Sequence, residues 1–186
     1  MSDTDRARWD ERYRTQVVDW TPAPVVSRCA PPAAPGARAL DVACGAGRHS
    51  LTLAELGYTV DAVDISAVAL AQLVTEAERR GLAERVHPLC ADLDVWRPPA
   101  ARYAVVVQVA FFDRALLPAT LVALEPGGLL ILEAFNTARL VAHPDFNPAF
   151  LLQRGELAVA CAGWDILELD DAVGPAADRS HIVARR

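Results

Sequence analysis

Residues 40–50 read LDVACGAGRHS. A short apolar run carries an acid, Asp41, and flows into a loop with glycines at 45 and 47. A strand that ends in such a loop and continues as a helix lets a ligand lie directly against backbone. Asp41, four residues before Gly45, bears on which ligand that is.

Two readings compete. The dinucleotide fingerprint G-x-G-x-x-G is incomplete, because GAGRHS places Ser50 at the third glycine. A pyrophosphate at the helix N-terminus would also meet the charge of Asp41. S-adenosylmethionine brings a sulfonium and an ammonium instead, and both favour a nearby carboxylate. Opposite charges about 4 Å apart attract by about 4 kcal/mol at an effective dielectric of 20, before desolvation. The ligand's own carboxylate then finds the helix start or Arg48. A plain strand-to-helix turn with a capping acid is the bland alternative.

Working outward, the pattern alternates. Strands are expected at 37–43, 58–64, 85–92, 103–110 and 129–135, helices at 48–57 and 67–81, and a helix followed by a turn over 113–128. Ser66 is a fitting N-cap, Gly57 and Gly81 are helix stops, and Pro118 suits a helix start. The run YAVVVQVA is continuously apolar, as in a strand covered on both faces. A last helix at 155–164 precedes two strands, DILELDDA and SHIVAR, joined by a turn with Gly174 and Pro175. Alternating strands and helices imply an α/β, Rossmann-like three-layer sandwich: a mostly parallel sheet with helices on both faces. Ligands on such sheets bind at the carboxyl ends of strands.

Two further acids end successive strands. Asp64 is placed to accept ribose hydroxyls, and Asp92 to accept from an adenine amino group, with the Leu93 backbone at the ring edge. Singly, each reads equally as a helix-start or loop acid. Ahead of the Pro- and Ala-rich stretch 30–37, residues 1–30 form an N-terminal segment in which Trp9 and Tyr13 share a helix face. Residues 37–186 form the domain proper.

The chain carries a net charge of −6, which argues against nonspecific nucleic-acid binding. No apolar run reaches the roughly 18 residues of a membrane span. The charged opening MSDTDRARWDERYR is unlike a secretory leader, so a cytoplasmic location is expected. The four cysteines lack metal-ligand spacing, and no metal is expected.

The motifs LDVACGAG, VDAVDIS, CADLD and LEPGGLLILEAFN resemble, in order and spacing, those of class I S-adenosylmethionine-dependent methyltransferases. The segments RWDERYR, VVDWTPAPVV and GRHSLTLAELGY are similar to the tellurite-resistance-type and thiopurine-methyltransferase-like branches, and the C-terminal NPAFLLQRGELAVACAGWDILELDD to the tellurite-resistance-type branch. The resemblance implies a seven-stranded sheet with an antiparallel last strand. It implies that Asp41, Ala43, Cys44, Gly45, Gly47 and Arg48 surround the methionine moiety, Asp64 and Ile65 the ribose, and Asp92 and Leu93 the adenine. Val109 and Ala110 line the methyl end, and Trp9, Tyr13 and Trp20 belong to an N-terminal lid. Ala43 stands where many members have glycine, and Ala104 where an Asp is usual.

Methyl transfer from a sulfonium chiefly needs alignment and exclusion of water. His49 and His143 are candidate bases, while His87 and His181 read as structural. Arg48 and Arg114 are candidates for an anionic acceptor, and Phe111 and Phe112 for an apolar wall or for core packing. The short link from Asp92 to Tyr103 leaves no room for an inserted substrate domain. The expected partner is therefore a small methyl acceptor, taken by a monomer or homodimer, with neither nucleic acid nor membrane.

Overall fold

The computed structural model describes residues 3–171, 173–174 and 177–186. A helix α1 (Asp3–Thr15) and a short helix α2 (Pro24–Cys29) precede the sheet. Then follow β1 (Arg38–Val42), α3 (Arg48–Glu55), β2 (Thr59–Asp64), α4 (Ala67–Arg79), β3 (Val86–Cys90), β4 (Tyr103–Val109), α5 (Leu117–Ala123) and β5 (Leu124–Phe135). Helices α6 (Arg139–Ala142) and α7 (Glu156–Ala160) lead to β6 (Asp165–Asp170) and β7 (Arg179–Arg185).

The strands form one seven-stranded sheet in the order β3-β2-β1-β4-β5-β7-β6. β7 runs antiparallel to both β5 and β6, and the ladders from β3 to β5 are parallel. The expected fold class is the observed one. Strand order reverses between β1 and β4, so a crevice opens at their carboxyl ends.

Alternation along the central strands feeds two apolar layers. Ala39, Val60, Val105, Val107 and Ile131 pack with Val25, Val26, Leu51, Leu53 and Leu73 from α2, α3 and α4. Leu40, Val42, Val63, Val106, Leu130 and Leu132 pack on the other face with Phe112, Leu116, Leu117, Leu152 and Leu157. Each side chain thus faces the layer its parity dictates.

The boundary signals act as expected at the helices beside the crevice. Ser66 Oγ accepts the N–H of Ala69 at 3.1 Å, which caps α4. Gly57 and Gly81, after α3 and α4, have φ of +101° and +71°.

Three elements differ from the sequence reading. β5 starts at Leu124 rather than 129, because the EPGG segment pairs onward with a register shift at Tyr103/Val105. Gly128 is needed there: a Cβ would lie 2.9 Å from the Glu125 carbonyl oxygen. α7 is only five residues long, since Gly155 and Gly163 take left-handed φ of +82° and +84° on either side. α2 lies in a segment where no helix is expected, with Pro24 at its first turn. The turn between β6 and β7 carries an isolated Gly174–Ala177 bridge, and Ala172 and Pro175 lie outside the described residues.

Candidate active site

The loop after β1 reverses the chain with three left-handed residues: Ala43 (φ +54°), Gly45 (+57°) and Gly47 (+86°). Gly47 cannot carry a side chain, because a Cβ would lie 2.2 Å from Leu73 Cδ1. Ala43 holds the same conformation with its Cβ, at a strain of about 1–2 kcal/mol. Ala110, just past β4, is equally strained at φ +61°. Both alanines line one cavity of about 400 Å³ at the carboxyl ends of the strands.

Asp64 closes β2 and faces that cavity. Its carboxylate accepts the Gly45 N–H and the Ser66 N–H, each at 2.8 Å. Burial pushes its pKa up, and the N–H groups of Ser66 and Gly45 oppose that. The acid therefore fixes the glycine loop while keeping lone pairs for a ligand.

Asp41 lies beneath the loop, only 1% exposed and outside the cavity wall. Ser50 donates to its Oδ2 at 2.6 Å, whereas Oδ1 is buried with no partner among the described residues. Burial pushes the Asp41 pKa up to about 7, against the hydrogen bond from Ser50. The residue at the third-glycine position is thus a buried partner of the acid.

The N-terminal segment covers the crevice. Asp10 accepts the Ser66 Oγ–H at 2.6 Å and the Val68 N–H at 3.3 Å, and Gln72 donates to the Tyr13 carbonyl at 2.8 Å. These bonds latch α1 to α4. Trp9 and Tyr13 then line the cavity, their ring centroids 6.3 Å apart. Residues 16–19 continue along the wall as an extended strap, and Arg48 donates to the Thr21 carbonyl at 3.2 Å.

Of the residues singled out from sequence, the cavity gathers Trp9, Tyr13, Ala43, Cys44, Gly47, Arg48, Asp64, Ile65 and Val109. Trp20 stands off this wall: it packs outside, in a groove with Gln72 and Thr75 of α4, 6.0 Å from the Arg80 guanidinium. The extended strap has no period that would tell its inner from its outer face. Gly45 is screened by Tyr13, whose hydroxyl occupies the space a Cβ would take. Asp92 and Leu93 also stand off the cavity wall. Asp92 accepts the Asp94 N–H at 2.9 Å within its own turn, and Leu93 is buried in the core.

Neither candidate base stands unengaged in the cavity. His49 lines the cavity, but its Nε2 accepts the Ala23 N–H at 3.2 Å, which puts the ring proton on Nδ1. Burial lowers its pKa to about 3, so it is a neutral hydrogen-bond donor. His143 is exposed and away from the cavity. His87 stands 3.5 Å from Asp61, and His181 bonds Glu168 at 2.7 Å, both consistent with structural roles. Arg114 clamps Glu156 and the carbonyls of Ala149 and Leu151 and does not reach the cavity. Phe111 lines the cavity, whereas Phe112 is core. The sequence reading missed Arg12, Gln16, Val17, Val18, Asp19, Phe135 and Arg179, which also line it. They come from α1, from the strap and from strand ends far apart in sequence, and no local motif marks them.

Comparison with known proteins agrees with this arrangement. Residues 39–128 match a methyltransferase domain family. The chain is 32% identical over 148 residues to a protein named hemagglutinin 1 from Eikenella corrodens, covering 74% of this chain and 47% of that protein. It is 32% identical over 124 residues to a ubiquinone biosynthesis O-methyltransferase of a Caulobacter species, covering 63% of this chain and 49% of that enzyme. The chain thus spans about half the length of the curated relatives it matches. An S-adenosylmethionine-dependent methyltransferase from Mesorhizobium loti shares the fold at a TM-score of 0.68 and 16% identity, covering 88% of this chain and 96% of that one. No helix among the described residues is long and apolar enough to cross a membrane. The glycine loop and the acid ending β2 both lie within the matched residues, so this chain carries a methyltransferase domain, on a sheet with the fold of that S-adenosylmethionine-dependent enzyme.

Proposed function

We propose that this chain transfers a methyl group from S-adenosylmethionine to a small-molecule acceptor. The observation that carries the reading is Asp64: an acid at the end of β2, held by the Gly45 and Ser66 N–H groups and facing the cavity. Such a carboxylate suits ribose hydroxyls and repels a phosphate. No side chain caps α3, so its first N–H groups and Arg48 are placed to take a carboxylate. Ile65 offers an apolar surface beside the nucleoside position.

When bound, the cofactor supplies a methyl on a sulfonium: the acceptor's lone pair forms the new bond as the carbon–sulfur bond breaks, leaving adenosylhomocysteine. The chain's own contribution is alignment and exclusion of water, with Trp9 and Tyr13 as the roof. The Tyr13 phenol, pushed up to about 12 by burial, stays protonated. The Cys44 thiol, raised by burial and by Asp41 and Asp64, stays neutral as well. With His49 neutral and its Nε2 engaged, the wall offers no strong base at neutral pH. That favours an acceptor already nucleophilic in water, such as a thiolate or a chalcogen oxyanion. The latter accords with the sequence resemblance to the tellurite-resistance-type branch.

The same lack of a base supports a second reading, a protein that binds the cofactor without turnover. Release of adenosylhomocysteine over a panel of thiols, selenite, tellurite and small phenols separates the two. Turnover with at least one soft nucleophile is expected, and cofactor binding without turnover on the whole panel favours the second.

A further inference from the structure

We propose that the end of the cavity remote from the glycine loop takes an aromatic carboxylic acid, with Arg179 reading its carboxylate. This rests on the functional reading above and names the class of acceptor for that same site.

Strand order sets the axis. Asp64 ends β2 and the glycine loop follows β1, so the nucleoside and methionine ends of the cofactor occupy that side of the crevice. The space left over lies at β4, β5 and β7. There the wall is made by Val109, Phe111 and Phe135, with Val18 from the strap also lining the cavity. This is an apolar, partly aromatic slot matched to a flat ring.

One cation stands in that slot. Arg179 begins β7 directly opposite Phe135 in the β5–β7 register. Its guanidinium lies 4.2 Å from the Phe135 ring centroid, and Arg139 lies 4.3 Å from the same ring. Arg139 is spent on Asp178 at 2.7 Å and does not line the cavity. Arg179 does line it, with its side chain 38% exposed. Glu133 takes one of its N–H groups at 2.8 Å, and the others have no acceptor among the described residues. Contact with the ring and the Glu133 bond together hold the guanidinium in place, which leaves N–H edges to meet a planar carboxylate.

The charge balance points the same way. The cavity's ionised side chains are Arg12, Arg48 and Arg179 against Asp19 and Asp64. Asp19 accepts the Thr21 N–H at 2.9 Å, and Asp64 belongs to the cofactor end. The wall thus holds three cations against two acids in a chain of net charge −6, with Glu133 pairing Arg179 from just outside the wall.

The test is calorimetry on protein saturated with adenosylhomocysteine, titrated with 3-mercaptobenzoate and with its neutral isostere 3-mercaptobenzamide. The acid is expected to bind about tenfold more tightly than the amide, as for one hydrogen-bonded charge pair. Arg179→Gln should cut that ratio to about threefold or less, Arg179→Lys should restore part of it, and Arg12→Gln should leave most of it. Adenosylhomocysteine affinity, measured first on each variant, reports that the fold is intact. Equal binding of acid and amide, binding of neither, or a ratio that survives Arg179→Gln overturns the inference while the cofactor reading stands. Failure of the parent to bind adenosylhomocysteine overturns the cofactor reading itself.

Discussion

The hydroxyl of Tyr13 rests against the α-carbon of Gly45, so closely that a Cβ there would lie 2.1 Å from it. The lid helix and the cofactor loop are therefore one packed unit. Gly45→Ala must push Tyr13 out and also strains a backbone at φ +57°. We expect a stability loss of about 1–2 kcal/mol by urea unfolding. We also expect adenosylhomocysteine affinity to fall at least about tenfold. In a Tyr13→Ala background the steric part should vanish, leaving only the backbone strain. An equal cost in both backgrounds would mean that the contact carries nothing.

The latch at Asp10 is a second point of control. Its carboxylate accepts the Ser66 Oγ–H and the Val68 N–H, and these bonds, the Ser66 one first, hold its pKa below the usual carboxylate value. A depressed folded pKa means stability present above the unfolded value of about 3.9 and lost as pH falls through the folded one. The lid should therefore stay docked at neutral pH and release in acid. Asp10→Ala should expose the α1 amides to hydrogen exchange at pH 7 and weaken adenosylhomocysteine binding, with little change at β1 or β4. Protection of α1 equal to that of the parent would show that the latch is idle.

Asp41 gives a pH signature of opposite sign. Its folded pKa is about 7, against about 3.9 unfolded, so the folded state holds the extra proton in between. Its contribution favours folding at low pH and is lost as pH rises from about 4 to 7. Asp41→Asn removes that loss. The variant should gain on the parent with rising pH across this window, by at most about 1.4 kcal/mol per unit. His49, folded about 3, acts in the other direction, losing stability as pH falls below about 6.5, but it is common to both proteins and cancels. Urea unfolding at pH 4, 5.5 and 7 measures the difference, and a gap that does not change with pH contradicts the assignment.

Local signals made the sheet and half of the site legible. Alternation in YAVVVQV, the Ser66 cap and the glycines at 45 and 47 each act within a few residues, so each survives being read in one dimension. Asp64 is legible for the same reason, as an acid on a strand that runs into a loop, whereas Asp41, equally legible, lies buried beneath the loop and off the cavity wall. What escaped depends on distant chain. That Ala23 would occupy His49 Nε2 is set by a segment 26 residues away. Phe135 and Arg179 meet only because β7 inserts antiparallel between β5 and β6. Trp20 went to the outer face of α4 because the strap that carries it has no repeating pattern to fix its direction.

The account turns on one acid, Asp64, at the nucleoside end of a crevice that takes a cationic donor, and binding to Asp64 variants tests that directly. By calorimetry the parent should bind S-adenosylmethionine and adenosylhomocysteine and show no heat with a nicotinamide dinucleotide. Asp64→Ala should lower affinity for both at least about a hundredfold, the worth of two charge-assisted hydrogen bonds. Parent protein that binds the dinucleotide instead, or an Asp64→Ala variant that binds adenosylmethionine as tightly as the parent, would contradict it.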